Sequence, residues 1–122
     1  MTGYFSNMER EAMEMMIAAE PDSNAEAFRE QLNEIVGVKT NATGVGFFKE
    51  IELSSKAKPL PGKTSFVLQG VHADVGNREE SCVMFVFFVV DGFLRTLESV
   101  TTEDKWPEKL EPYKLAYTPR VG

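Results

Sequence analysis

The chain has 122 residues, 43% of them hydrophobic and 26% charged, which is the composition of one globular domain rather than of a disordered or fibrous chain. A net charge of −6 argues against a nucleic-acid binder. The lone Cys82 and lone His72 exclude an internal disulfide framework, a cysteine-based zinc site and any centre needing two imidazoles from one chain.

The N-terminal residues lack the basic start and apolar core of a secretory signal. Ser6 and Glu9 have capping-box spacing. Met8, Ala12, Met15, Met16 and Ala19 recur with a helical period behind them, and Pro21 supplies a stop. These methionines, with Met13, read as core filler rather than as metal ligands. Ser23 and Glu26 repeat the capping pattern. Ala25, Phe28, Leu32, Ile35 and Val36 make a second apolar stripe, with Gly37 as its C′ residue. An αα-hairpin over the first 37 residues is therefore expected.

Beyond Gly37 the apolar period shortens to two. Phe47 to Leu53 reads as a half-exposed strand, 54–63 as a loop with Pro59 and Pro61, and Phe66 to Val75 as a long strand with a bulge at Gly70. Gly76 to Glu80 is expected to turn the chain. The run Cys82 to Val90 is apolar throughout. It spans about 30 Å as a strand and about 14 Å as a helix, against the roughly 20 residues of a membrane helix. It predicts a central strand covered on both faces, with the loop 101–112, a curled sheet or a second subunit of a homodimer covering the face the helices leave bare. No membrane association is expected, and a cysteine inside such a strand suits a reducing, cytoplasmic location.

Asp91-Gly92 then separates two strand-like runs. A two-residue type I′ turn needs positive φ at both positions, which Asp-Gly tolerates. Phe93 to Val100 is the returning strand, and Tyr113 to Tyr117 a last edge strand. Together these give a single α+β domain over 1–122, in the order ααββββ. Its N-terminal two-helix hairpin packs on one face of an antiparallel sheet of four to five strands.

The charge is segregated. Residues 1–37 hold eight acidic and two basic residues, while 38–122 hold eleven of each. Glu26, Glu30 and Glu34 fall at i, i+4, i+8 and would stack on one helix face. That face is either an ordinary solvated surface or a docking surface for a basic protein partner. Trp106, beside Pro107 in a polar loop, is either pinned over the sheet or an exposed binding anchor.

Chemistry-bearing patterns are sparse. His72 and Asp74 lie two apart on a strand and share a face, the arrangement of an oriented general base or of a polar pocket wall. They stand some 6–7 Å apart, too far for direct hydrogen bonding, and Glu98 could complete a cluster. Cys82 has no basic neighbour to lower its pKa, no serine sits in a nucleophile elbow, and no glycine-rich phosphate loop is present. No catalytic residue, cofactor or metal is expected.

The stretch Phe87 to Glu98, followed by Trp106-Pro107, resembles a pattern in small bacterial proteins of uncharacterised families. There an apolar strand, a "DG" hairpin, a "LE" pair and a "WP" loop follow one another. Gly46-Phe47-Phe48 resembles their "GFF" strand start. The resemblance covers residues 46–48 and 85–107. Some similar proteins are immunity proteins of bacterial toxin systems. The resemblance implies a bacterial source and a non-catalytic role, and it carries over no catalytic residue.

Two functions are thus expected to compete. One is a non-catalytic protein-binding domain, in its most concrete form an immunity-type protein neutralising a basic toxin. The other is a small-ligand-binding or enzymatic domain of the cystatin-like or nuclear-transport-factor-like kind, with a pocket near His72 and Asp74.

Overall fold

The computed structural model describes residues 4–76 and 81–118. Two helices, α1 (Asn7–Ala18) and α2 (Asp22–Leu32), precede six strands: β1 (Ile35–Ala42), β2 (Gly46–Leu53), β3 (Phe66–Val75), β4 (Cys82–Val90), β5 (Phe93–Thr101) and β6 (Tyr113–Tyr117). The strands form one antiparallel sheet in the order β1-β2-β5-β4-β3-β6. α1 lies against β3, β4 and β6, and α2 against β5. The expected α+β architecture therefore holds, with six strands rather than four or five. Most of the expected turn after β3, residues 77–80, lies outside the described residues.

Helix α1 starts where its capping box predicts. The Glu9 amide donates to Ser6 Oγ at 3.1 Å, and the Ser6 amide donates to Glu9 Oε1 at 2.8 Å. The second capping pattern does not form. Pro21 is the N-cap of α2, its carbonyl accepting from the Ala25 amide at 2.9 Å, so the helix begins too early for Ser23 to cap it.

Helix α2 also ends before Gly37. It stops at Leu32, and the β-branched stretch beyond pairs with β2, Ile35 opposite Leu53 and Val38 opposite Ile51. Cross-strand packing of Ile35 outweighs the helical spacing it also satisfies. A bulge between Ile35 and Gly37 leaves Val36 53% exposed.

Along the second helical stripe and the apolar strand runs, Phe28, Ile35, Leu68, Phe85, Phe87 and Leu97 are buried, whereas Leu32 and Phe66 are half-buried. The fully buried place beside Phe28 is taken by Gln31, 1% exposed. Its Nε2 donates to the Lys58 and Gly92 carbonyls at 2.8 and 2.9 Å, and its Oε1 accepts from the Leu94 amide at 2.8 Å. One side chain thus ties α2 to the loop after β2 and to the β4–β5 turn.

That turn is the one Asp91-Gly92 predicts, with φ of 54° and 83°. A Cβ on Gly92 would stand 2.8 Å from the Leu60 nitrogen, so glycine is required by space as well as by φ. Gly46 is fixed by close approach alone, since its Cβ would fall 1.9 Å from the Ser99 carbonyl oxygen across the β2–β5 pair. The expected bulge at Gly70 is present, between Leu68 and Val71.

Strand β4 corrects one expectation. Val83, Phe85, Phe87 and Val89 are buried beneath the helices, but Met84 and Val90 on the other face are each 43% exposed. The loop 102–112 does not cover them. It folds to the helix side, where Trp106 packs edge-on against Phe47 at 5.1 Å and its amide donates to the Gly44 carbonyl.

Candidate functional site

The structure scatters the residues the sequence singles out. Glu26 and Glu30 are exposed on α2. Glu34 does not continue their stack, because the helix has ended. It turns to β2, where its Oε1 accepts from Ser54 Oγ at 2.6 Å and its carbonyl from the Ser54 amide at 2.8 Å. Among the other hairpin acids, Glu14 pairs with Arg29 at 2.6 Å, and this contact holds the guanidinium pKa above its ordinary value. Trp106 is half-buried and pinned over the sheet.

His72 and Asp74 share a face, as their spacing requires, but it is the face opposite the helices. They lie between buried Val71, Ala73 and Val75, with His72 opposite Met84 and Ala116, and Asp74 opposite Cys82 and Lys114. His72 is half-buried there and Asp74 exposed. Glu98 does not join them. It sits on β5, opposite Val86 and Phe48, with β4 between it and His72, a lateral separation of about 10 Å. The Cys82 thiol is pushed up in pKa by burial first and by Asp74 second, the opposite of nucleophile activation. Among the described residues, no group of three or more His, Cys, Asp or Glu side chains could hold a metal ion. Nor, among those residues, is any helix long and apolar enough to cross a membrane.

Two surfaces have the make-up of a site. The first is the sheet face turned away from the helices. Val67, Met84 and Val90 are 39%, 43% and 43% exposed there, and Phe48, Val86, Phe88 and Val100 are half-buried around them. Glu98 stands in the middle of this apolar ground, with no hydrogen-bond or salt-bridge partner among the described residues. The strands β4 and β5 were legible, but the lack of cover on this face was not, because β4 is apolar at every position.

The second is a groove on the helix side, about 330 Å³ in volume, between the start of α1, the strands β1, β2 and β5, and the loop carrying Trp106. Met8, Phe47, Trp106 and Leu110 supply its apolar walls, and Thr40, Ser99 and a Lys49–Glu9 ion pair its polar ones. Lys49 Nζ donates to Glu9 Oε1 at 2.7 Å and to the Tyr4 carbonyl at 3.1 Å. Both side chains are largely buried, at 17% and 10% exposure. Ser99 Oγ is buried without a partner among the described residues. Sequence reasoning missed this place. Ser99 and Thr101 follow Leu97 at period two on the inner face, a polar signal among core positions.

Comparison with known proteins finds no matching family model, no matching curated protein and no matching solved structure.

Proposed function

We propose that the protein acts by binding rather than by turnover, and that it docks a basic protein partner on the uncovered face of its sheet. The observation that carries this reading is the apolar ground around Glu98. Six strands of this length present roughly 700 Å², close to the ~800 Å² each partner contributes to a standard interface. A carboxylate in the centre of such a face loses its water on docking. A lysine or arginine from the partner would then offset the cost, whereas an apolar partner would leave the charge unpaired.

The acidic helices suit the same partner. Exposed Glu11, Glu26 and Glu30 lie on the far side of the molecule and would act through the long-range field, raising the encounter rate. In its most concrete form the partner is a basic bacterial toxin and the protein its cytoplasmic, immunity-type inhibitor. The "DG…LE…WP" resemblance supports that form.

The test begins with capture from lysate of the source cells, followed by titration of the purified partner on a biosensor. A basic protein should bind the wild type, with Met84→Asp and Glu98→Lys each accelerating dissociation at least tenfold. The double change Glu26→Lys and Glu30→Lys should instead slow association, by a factor that shrinks as salt rises. Glu34 is left intact because Ser54 holds it. A partner indifferent to Met84→Asp and Glu98→Lys would overturn the reading. So would sedimentation showing a homodimer that Met84→Asp dissociates.

A further inference from the structure

We infer that the groove beneath Trp106 is a binding site for a small uncharged molecule with an apolar body and one hydrogen-bonding head. It lies on the helix side of the sheet and stands or falls independently of the docking face.

Ser99 supplies the first part of the case. It is 3% exposed, and its hydroxyl, able both to donate and to accept, has no partner among the described residues. Its strand is paired on both sides, with Phe47 and Phe85 opposite it, so the neighbouring backbone groups are engaged in the ladder. Native structures leave few buried polar side chains unsatisfied, and those that remain point to a function or a bound molecule.

The ion pair sets the ligand's charge. Lys49 is committed to Glu9 and to the Tyr4 carbonyl, and Glu9 Oε1 also accepts from the Ser6 amide. The two charges cancel in place, so the groove offers no net charge to an ion. Nearly all the remaining wall is apolar. Met8 is adaptable, and the perpendicular Phe47–Trp106 pair gives a rigid aromatic side. The volume is about 330 Å³, at the small end for ligand pockets. At roughly 30 Å³ for a water-sized group it holds about ten non-hydrogen atoms.

The probe is 4-nitrobenzyl alcohol, compared with 4-nitrotoluene, which lacks the hydroxyl. Trp106 is the sole tryptophan of 122 residues, so its single indole N–H resonance reports on the groove directly. The alcohol should shift that signal saturably, with a dissociation constant of about 1 mM or tighter. The nitrotoluene should bind about three- to tenfold more weakly, the worth of one hydrogen bond. Ser99→Ala should weaken the alcohol to the level of the nitrotoluene and leave the nitrotoluene unchanged. It should fold normally, because the hydroxyl it removes has no partner. Thr40→Phe, which fills the groove from its open side, should abolish both shifts. The inference fails if neither probe saturates the Trp106 signal in the wild type. It fails equally if Ser99→Ala binds the alcohol as the wild type does.

Discussion

Gln31→Met tests the packing of α2 most sharply. Methionine nearly matches the side chain in volume, so little cavity forms, and the change isolates three hydrogen bonds. Not all three matter equally. The Gly92 carbonyl keeps a bond from the Leu60 amide at 3.0 Å, and Lys58 is exposed enough for its carbonyl to turn to water. The Leu94 amide is left with nothing, in a residue that is 0% exposed. An orphaned buried donor costs about 1–3 kcal/mol, and loss of the two other bonds adds to it, so a net destabilisation of about 2–3 kcal/mol is expected. Urea unfolding followed by circular dichroism should show a lower midpoint with an unchanged slope, and amide exchange at Leu94 should accelerate. Gln31→Glu adds a pH test. A protonated carboxyl can donate to one carbonyl while accepting from Leu94, but an ionised one faces two carbonyl oxygens in a buried site. Its folded pKa is therefore raised above the unfolded value of about 4.3. The stability it contributes is complete below that value and is lost as pH rises through the folded pKa. The penalty relative to wild type should then be smaller at pH 4 than at pH 7. A loss under about 0.5 kcal/mol for Gln31→Met would refute the view of Gln31 as the tie between α2 and the hairpin turn.

Gly92→Val should cost roughly 1–3 kcal/mol from backbone strain at φ 83°, and more from contact with Leu60, measured by thermal unfolding. Phe87→Ala should cost about 3–5 kcal/mol in the isolated protein, while Phe88→Ala on the bare face should cost clearly less; equal losses would contradict the assigned facing. Alkylation of Cys82 by iodoacetamide should show a pH midpoint above that of a free thiol. Asp74→Asn should lower the midpoint only part of the way, because burial is the larger cause.

What could be read from the sequence follows the range of the interactions involved. The capping box at Ser6 and the turn at Asp91-Gly92 rest on chemistry within four residues, and both form as expected. β1 was hidden because Phe28, Leu32, Ile35 and Val36 satisfy a helical period, while the partners that make Ile35 and Val38 a strand lie 13 or more positions away on β2. That same error placed Glu34 on a helix face. Gln31 carries no local signal of its role, because its three backbone partners lie 27, 61 and 63 positions away. His72 and Asp74 were correctly put on one face, but which face meets the helices depends on tertiary packing that period two cannot report. The Ser99 groove needs α1, three strands and the Trp106 loop to converge, and that convergence has no local signal.

The strand order has a consequence for how the chain assembles. β3, β4 and β5 form a meander whose pairings close short loops, whereas β2 joins β5 only through contacts such as Gly46 with Val100, across the whole intervening chain. Closing that long loop costs chain entropy before any contact offsets it. The meander is thus the natural nucleus, and the β1–β2 hairpin a late addition. Destabilising changes at Phe85 or Leu97 should appear chiefly as slower folding, and those at Ile51 or Val38 chiefly as faster unfolding. The β1–β2 hairpin would then be the first part of the sheet to detach when the protein opens.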